Sequence, residues 1–194
     1  MSNKIFLVDM DSTIVNTCAH WWDYLKYNSR SKPMYNTEQD YIDVHGVLPY
    51  DYSNCFDISK KVAHQFWYRS DLYDSLSPID GAVDVLKKLH DEHGLSIVFC
   101  SHVCGGHYDT KVNFLNKYFP FNDGILITGQ KNLATRSLFA IDDRNSYLNM
   151  IDSEHHILMY TPVEQEVELT VHTDIAKNWD NVLKITEKYL GSLV

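Results

Sequence analysis

Lys4-Ile-Phe-Leu-Val-Asp-Met-Asp-Ser-Thr13 is an apolar run that ends abruptly in two carboxylates. The apolar residues from Ile5 to Val8 predict a short buried β-strand whose carboxyl end opens onto a site. Two like charges as close as Asp9 and Asp11 are costly unless a cation lies between them or one carboxylate holds a proton. The alternative is structural, because Asp-Ser-Thr is also typical of a turn that caps a helix.

Apolar segments that alternate with helix-like segments indicate an α/β fold. We predict a Rossmann-like parallel five-stranded sheet with helices on both faces, since strands buried on both sides have continuous apolar runs. The predicted strands cover residues 5–8, 95–100, 124–128, 137–141 and 156–160. Ligands of such sheets bind beyond the carboxyl ends of the strands. The polar side chains that follow these strand ends should therefore share one site, and they are Asp9, Asp11, Ser101, Asp142 and Asp143.

The segment between the first strand and the helix near Asp80 breaks this alternation. Residues 15–77 are rich in aromatic side chains and turn residues, and they predict a small helical cap inserted after the first strand. We expect this cap to determine substrate specificity, while residues 1–14 and 78–194 form the catalytic core. The last helix is predicted to begin at Thr173, because Thr-Asp is a common helix start.

The acidic composition limits the classes of partner. The 194-residue chain has a formal net charge of −9, which argues against a stable nucleic-acid partner and against a membrane surface. Its four Cys show no paired CxxC spacing, and no segment approaches the length of a membrane span. The N-terminal residues do not resemble a signal peptide. We therefore expect a cytoplasmic monomer or homodimer with reduced thiols that acts on a small molecule.

The polar side chains at the strand ends indicate phosphoryl transfer. Several carboxylates without a rich supply of His or Cys suggest a hard cation bound by oxygen ligands, such as Mg²⁺. One carboxylate can attack phosphorus and form an aspartyl-phosphate, while a second protonates the leaving oxygen. Lys111, near the start of a predicted helix, could supply a positive charge to a phosphoryl group, and Ser101 could donate a hydrogen bond to it.

These motifs resemble those of the haloacid dehalogenase-like superfamily. Asp9-Met-Asp-Ser-Thr13 is similar to its DxDx[TV] signature, and Ser101 resembles its second motif. Lys111 resembles the third motif and Asp142-Asp143 the fourth. The second Asp of the first motif is typical of the phosphatase and phosphotransferase branch, so the resemblance implies a phosphatase.

Within the superfamily the sequence is most similar to the 5′(3′)-deoxyribonucleotidases. The segments that carry this resemblance are Trp67 with Tyr73, Pro78–Ala82, Val98–Ser101, Lys111–Phe119 and Ile141–Arg144. The resemblance implies that Asp9 is the nucleophile and Asp11 the general acid and base. It implies that the Mg²⁺ ligands are Asp9, the backbone carbonyl of Asp11, and Asp142. Asp143 would lie just outside these Mg²⁺ ligands and orient Lys111 or water.

The same resemblance assigns side chains to the substrate. The phosphate-binding candidates are Ser101, His102 and Lys111. The candidates for contact with the base and sugar are Trp22, Trp67 and Tyr73. Each of these aromatics could instead pack in the core of the cap, and Trp21 competes with Trp22 for the same role. Lys131 and Arg136 are also expected near the site, although a solvated surface is the default interpretation of both.

The leading hypothesis is a Mg²⁺-dependent phosphomonoesterase that acts on nucleoside monophosphates, with deoxyribonucleotides favoured. One alternative is a phosphatase of the same superfamily that acts on another small phosphate ester or on a polynucleotide 3′-phosphate end. Another is a non-catalytic phosphate-binding regulator. The loop from His102 to His107 superficially has the spacing of a transition-metal site, but it has no second Cys/His pair, and a flexible loop beside the phosphate is the favoured interpretation.

Overall fold

A computed structural model describes residues 4–30 and 33–191 as an α/β fold built on a parallel sheet. The predicted core also included residues 1–3 and 192–194, which lie outside the described residues. The strands are β1 (Ile5–Val8), β2 (Ser96–Ser101), β3 (Gly124–Ile127), β4 (Ser137–Asp142), β5 (Ser153–Met159) and β6 (Thr173–Ala176). Their order across the sheet is β3-β2-β1-β4-β5-β6.

β1 lies at the point where the strand order changes direction. Its neighbours β2 and β4 both pair with it in parallel, so that Leu7 lies opposite Val98 on one side and Ala140 on the other. The carboxyl ends of β1, β2 and β4 therefore meet at one edge, which is where ligands bind in sheets of this topology. The predicted α/β class with a parallel sheet is confirmed.

The sheet has six strands, and the prediction of five was wrong. The additional strand, β6, pairs in parallel with β5 along its whole length. We predicted a helix from Thr173, but the last helix begins at Trp179. Asn178 provides the helix start instead, since its side chain accepts a hydrogen bond from the backbone N–H of Asn181 at 2.9 Å.

Helices pack against the sheet and fill the interval between β1 and β2. They are α1 (Thr17–Asn28), α2 (Glu38–His45), α3 (Lys60–His64), α4 (Ala82–Asp91), α5 (Tyr108–Tyr118), α6 (Asn145–Leu148) and α7 (Trp179–Gly191). Apolar side chains of α4, α5 and α7 join a large buried cluster that includes Phe6 and Val8 of β1. Leu7, on the opposite face of β1, belongs to a smaller cluster. None of the helices in the described ranges is long and apolar enough to span a bilayer.

The segment between β1 and α4 consists of α1, α2, α3 and two 3-10 turns, Tyr52–Cys55 and Gln65–Tyr68. Its aromatic side chains pack on one another, and Trp21 stacks on Tyr52 with 5.0 Å between the ring centroids. A backbone bridge between Val15 and Pro78 joins its two ends, and a bridge between Leu48 and Val163 joins it to the segment after β5. The segment contains helices, and the prediction that it forms a helical cap stays a prediction.

Trp179 of α7 holds the turn that follows β1. Its side chain is buried, and its Nε1–H donates to the backbone carbonyl of Thr13 at 3.1 Å. Gly81, which precedes α4, has a φ of +81°, and a β-carbon there would lie 3.2 Å from the Cβ of Trp179. Trp179 therefore supports the turn that carries Asp9 and Asp11, and its position leaves room only for glycine at residue 81.

Replacing Gly81 by Ala should lower the free energy of unfolding by about 2 kcal/mol or more, because the left-handed backbone alone costs a residue with a β-carbon roughly 1–2 kcal/mol and the contact with Trp179 adds strain. Gly94→Ala is the matched control, since Gly94 has a φ of +66° but no atom within 4 Å of the added β-carbon. Urea denaturation measures both variants. Equal losses would contradict a steric contribution from Trp179.

Candidate active site

Side chains from the carboxyl ends of β1, β2 and β4 meet at one edge of the sheet. Asp9 follows β1, Ser101 ends β2 and Asp142 ends β4. All three side chains are buried. Because the strands are adjacent and parallel, residues that are far apart in sequence become neighbours. The structure thus brings these predicted residues together.

Three carboxylates form an acidic cluster at this edge. One oxygen from each of Asp9, Asp142 and Asp143 lies within 4.8 Å of the others. Within residues 4–30 and 33–191, this is the only group of three or more His, Cys, Asp or Glu side chains whose ligand atoms lie so close. Carboxylate oxygens are the ligands that Mg²⁺ prefers, so the residues present fit the predicted cation. Asp143, predicted just outside the Mg²⁺ ligands, is close enough to be a direct ligand.

A buried lysine lies within the acidic cluster. Lys131 is 1% exposed, and its Nζ lies 2.6 Å from Oδ1 of Asp9 and 2.5 Å from Oδ2 of Asp142. The ring of Tyr147 lies over the ammonium group, with 4.2 Å between Nζ and the ring centroid. The default interpretation of Lys131 as a solvated surface residue was therefore wrong. A signal for this position existed, since Lys131 begins a short 3-10 turn that follows β3 at the same edge of the sheet.

Burial determines the electrostatics of the acidic cluster. Desolvation alone would lower the pKa of Lys131, but the carboxylates of Asp142 and Asp9 raise it above its ordinary value. Burial, followed by the charges of Asp142 and Asp9, raises the pKa of Asp143 well above its ordinary value. Lys131 is therefore charged at neutral pH, and it neutralises only part of the cluster. A bound divalent cation would relieve the remaining repulsion between the carboxylates.

Asp11 lies in a different polar environment, next to Lys111. The buried Nζ of Lys111 donates to Oδ2 of Asp11 at 2.7 Å. It also donates to Oγ of Ser101 at 2.9 Å and to the backbone carbonyl of His102 at 2.8 Å. These bonds use every donor of an ammonium group. Asp11 is therefore the carboxylate that Lys111 contacts in this arrangement, and the role of Asp143 in orienting Lys111 or water stays a prediction.

Tyr73 is the second partner of Asp11. Its hydroxyl donates a hydrogen bond to Oδ1 of Asp11. Burial opposes ionisation of Asp11, but the charge of Lys111 and the hydrogen bonds from Lys111 and Tyr73 together lower the pKa of Asp11 below its ordinary value. Burial and the charge of Asp11 raise the pKa of Tyr73 well above its ordinary value. The phenol therefore keeps its proton and remains the donor in this pair.

A cavity of about 370 Å³ opens at Asp9 and Asp11. His102 and Cys104, from the loop after β2, form part of its wall. The aromatic side chains that line it are Trp21, Tyr50, Tyr52, Trp67, Tyr68 and Tyr147. The cavity therefore combines carboxylates at one end with flat apolar surfaces along its sides.

The three aromatics predicted to contact the base and sugar occupy different places. Trp67 lines the cavity, whereas Trp22 and Tyr73 are not among its described lining residues. Trp22 is buried against Phe56, with 4.8 Å between the ring centroids. Its neighbour Trp21 lines the cavity instead, so the geometry favours Trp21 over Trp22 for contact with a ligand.

Arg144 joins two parts of the cavity wall. Its guanidinium carbon lies 4.6 Å from the ring centroid of Tyr50 and 4.8 Å from that of Tyr147. It also forms an ion pair with Glu166. Residues 163–166 contribute further lining, including two glutamates. The outer wall of the cavity is therefore aromatic and partly acidic.

The sequence itself matches a known family along nearly its whole length. The model of the family described as "5′ nucleotidase, deoxy (Pyrimidine), cytosolic type C protein" matches residues 3–189. The chain belongs to this family. It is accordingly a phosphatase of the nucleotidase class, as the motifs at β1, β2 and β4 predicted.

Curated relatives and solved structures are also similar to this chain. The 5′(3′)-deoxyribonucleotidases of Bacillus subtilis (strain 168) and of Bacillus phage SPbeta are each 24% identical over 143 residues, which cover 72% of this chain and 76% of theirs. A haloacid dehalogenase-like hydrolase from Burkholderia xenovorans LB400 has a TM-score of 0.54 at 12% identity, over 96% of this chain and 97% of its own. One from Xanthomonas campestris has a TM-score of 0.56 at 8% identity, over 98% and 97%. The predicted resemblance to the deoxyribonucleotidases is confirmed by the family match, and the two solved structures show that the fold is shared.

Replacing Lys131 by Met should lower the free energy of unfolding in EDTA by about 3–5 kcal/mol, because removing one partner leaves buried carboxylates without their counter-charge. Mg²⁺ should restore part of that loss, since a cation that binds only the folded state stabilises it. Lys184→Met, at an exposed position of α7, is the control and should change stability by less than about 0.5 kcal/mol. A loss no larger than that of the control would show that Lys131 does not stabilise the cluster.

Proposed function

We propose that this chain is a Mg²⁺-dependent phosphomonoesterase that dephosphorylates deoxyribonucleoside monophosphates through an aspartyl-phosphate intermediate. The observation that supports it best is that two carboxylates only two residues apart have different partners. Asp9 lies in the acidic cluster with Lys131. Asp11 is held by Lys111 and Tyr73. This separation suits a nucleophile beside a cation and a proton carrier kept apart from it.

In the first step, a carboxylate oxygen of Asp9 attacks phosphorus and forms an acyl-phosphate bond. The bond between phosphorus and the ester oxygen breaks, and protonated Asp11 donates its proton to that oxygen, so the nucleoside leaves as an alcohol. In the second step, Asp11 accepts a proton from water while the water oxygen attacks phosphorus. Asp9 leaves as a carboxylate, inorganic phosphate is released and Asp11 is protonated again.

Substrate binding allows Asp11 to take up from solvent the proton that it needs. The phosphate dianion is bound by Ser101, His102 and Lys111, so the ammonium of Lys111 turns from Asp11 to the phosphate. Burial already favours the neutral form of Asp11, and Lys111 is the main group that opposes it. When the phosphate takes up that charge, the pKa of Asp11 rises and the acid form becomes available. Lys131 stays with Asp9 and Asp142 and adds positive charge beside the reacting phosphorus.

The Mg²⁺ ligands in this proposal are Asp9, Asp142 and the backbone carbonyl of Asp11, with Asp143 as a further carboxylate ligand. When bound, the cation supplies neutralisation of the negative charge on the phosphoryl oxygens. The carboxylates themselves are positioned by β1 and β4, and the N–H of Arg144 donates to Oδ1 of Asp142 at 3.0 Å. That bond fixes the orientation of Asp142 before any ligand binds.

The cavity supports a small nucleotide as substrate. Residues 15–77 act as the specificity cap, and Trp21 and Trp67 contribute flat surfaces on which a base can stack. The names of the Bacillus and phage relatives favour a deoxyribonucleotide. Glu164 and Glu166 in the wall would repel a polynucleotide backbone, so the alternative of a polynucleotide 3′-phosphate end is less well supported.

Asp9→Asn should reduce phosphate release about a thousandfold or more, because an amide does not attack phosphorus and the residues of such a site act as a unit. Phosphate release is measured across deoxyribonucleoside and ribonucleoside monophosphates, with Mg²⁺ and with EDTA. We expect release only with Mg²⁺. Asp84→Asn, an exposed carboxylate in the first turn of α4, should retain full activity.

Each other result of this experiment has a definite meaning. Absence of release from every nucleoside monophosphate would rule out the nucleotidase proposal. Full activity of Asp9→Asn would rule out the covalent mechanism. Release only from phosphorylated oligonucleotide ends would select the polynucleotide alternative, and binding of phosphate without turnover would select the non-catalytic regulator.

Trp67→Ala should raise the KM for deoxyribonucleoside monophosphates about tenfold or more, since stacking on one aromatic side chain contributes about 1–3 kcal/mol per base. The KM for deoxyribose 5-phosphate, which has no base, should stay unchanged. Trp22→Phe is the control, because Trp22 is buried outside the cavity lining. An equal rise in KM for both substrates would show that Trp67 does not contact the base.

A further inference from the structure

Tyr73 is buried beside the proposed proton carrier but does not line the cavity. Its side chain is 2% exposed, and its hydroxyl donates to Oδ1 of Asp11 from a position 62 residues further along the chain. A ring that does not line the cavity cannot stack on a base there. The contact with Asp11 therefore requires an explanation other than substrate binding.

The ring of Tyr73 is fixed by its surroundings. The centroid of the His107 ring lies 5.7 Å from that of Tyr73, and the Phe114 ring lies 6.0 Å away on an edge-to-face approach. The ammonium of Lys111 lies 5.1 Å from the Tyr73 centroid. Because the ring cannot move far among these neighbours, its hydroxyl holds a defined position relative to β1.

Of the two side chains that donate hydrogen bonds to Asp11, Lys111 leaves when substrate binds and Tyr73 can remain. Lys111 holds Oδ2 of Asp11, but the same ammonium serves the phosphate once substrate binds under the proposed function. Tyr73 holds Oδ1 and has no such second task. In the complex, Tyr73 is the group that keeps the carboxyl plane of Asp11 in place.

We propose that Tyr73 is a positioning residue for the proton transfer by Asp11, which rests on the proposed function of the site. Its hydroxyl fixes Oδ1 so that Oδ2 presents the proton to the leaving oxygen. Tyr73 keeps its own proton throughout, and the proton that reaches the leaving oxygen comes from Asp11. Tyr73 lies near the C-terminal end of residues 15–77, so it links this segment to Asp11, the proposed acid and base.

Proton donation matters most for leaving groups that are poor, which gives the role a specific signature. Departure of a nucleoside alkoxide requires a proton, whereas p-nitrophenolate leaves readily without one. Tyr73→Phe removes only the hydroxyl. Asp11 is also the base of the second step, which both substrates share, so the comparison uses kcat/KM, which reports on the first step. We expect kcat/KM of this variant for a deoxyribonucleoside monophosphate to fall about tenfold, as for loss of a hydrogen bond to a charged group. The kcat/KM for p-nitrophenyl phosphate should change less than about twofold.

A double-mutant cycle tests whether Tyr73 acts through Asp11. Adding Tyr73→Phe to Asp11→Ala should cause no further loss of kcat/KM on p-nitrophenyl phosphate or on the nucleotide. Tyr24→Phe is the matched control, since the Tyr24 hydroxyl donates to the backbone carbonyl of Val62 at 3.3 Å outside the cavity lining. It should leave both kcat/KM values unchanged. Thermal unfolding of each variant shows whether the fold is retained.

The remaining outcomes overturn the inference. Equal losses of kcat/KM on the two substrates, or a loss that persists in Asp11→Ala, would each show that Tyr73 has another role. An unchanged kcat/KM for the nucleotide would show that the hydroxyl is dispensable. Inactivity of the unaltered chain on both substrates would instead overturn the proposed function itself, so the two failures are distinguishable.

Discussion

The ammonium of Lys131 between Asp9 and Asp142 is the interaction on which the site depends. The parallel sheet places buried carboxylates at adjacent strand ends, and the same burial that stabilises the sheet makes those charges costly. Lys131 reaches this point from the turn after β3, two strands away from β1. Its single positive charge neutralises only part of the negative charge of the three carboxylates. The carboxylates therefore lie close together with negative charge left over, which is what a cation site requires.

The two lysines of the site divide the carboxylates between them. Lys131 forms ion pairs with Asp9 and Asp142, and Lys111 forms one with Asp11. Neighbouring carboxylates on one short motif would otherwise share one environment. Two ammonium groups from different parts of the chain separate them. In the proposed mechanism this separation gives one carboxylate the task of attack and the other that of proton transfer.

Patterns that arise from local sequence predicted much of this arrangement. β1, β2 and β4 are continuous apolar runs, so their ends, and therefore Asp9, Ser101 and Asp142, could be located from the sequence. The topology placed Lys131 near the site, but its burial could not be predicted, because it lies in a 3-10 turn without periodicity and is buried by contacts distant in sequence.

Two other features could not be predicted from the sequence, because local pattern allowed more than one structure for the same residues. Trp21 and Trp22 are adjacent, and only packing determines which of them lines the cavity. β6 was missed because Thr173 and Asp174 resemble a helix start, whereas the pairing with β5 decides their conformation. Local pattern thus accounts for strands and their ends, while side chains brought in from loops depend on the complete fold.

The backbone bridge at Leu48 has a consequence for how such a fold can change. The N–H of Leu48 donates to the carbonyl of Pro162, and the N–H of Glu164 donates to the carbonyl of Leu48, both at 2.8 Å. Residues 163–166 line the cavity, so these bonds hold that part of its wall against the segment between β1 and α4. Both sides of this contact lie outside the strands of the parallel sheet. Insertions or deletions there would reshape the cavity wall and leave the strand ends that carry Asp9, Ser101 and Asp142 in place, so substrate range and chemistry can evolve independently.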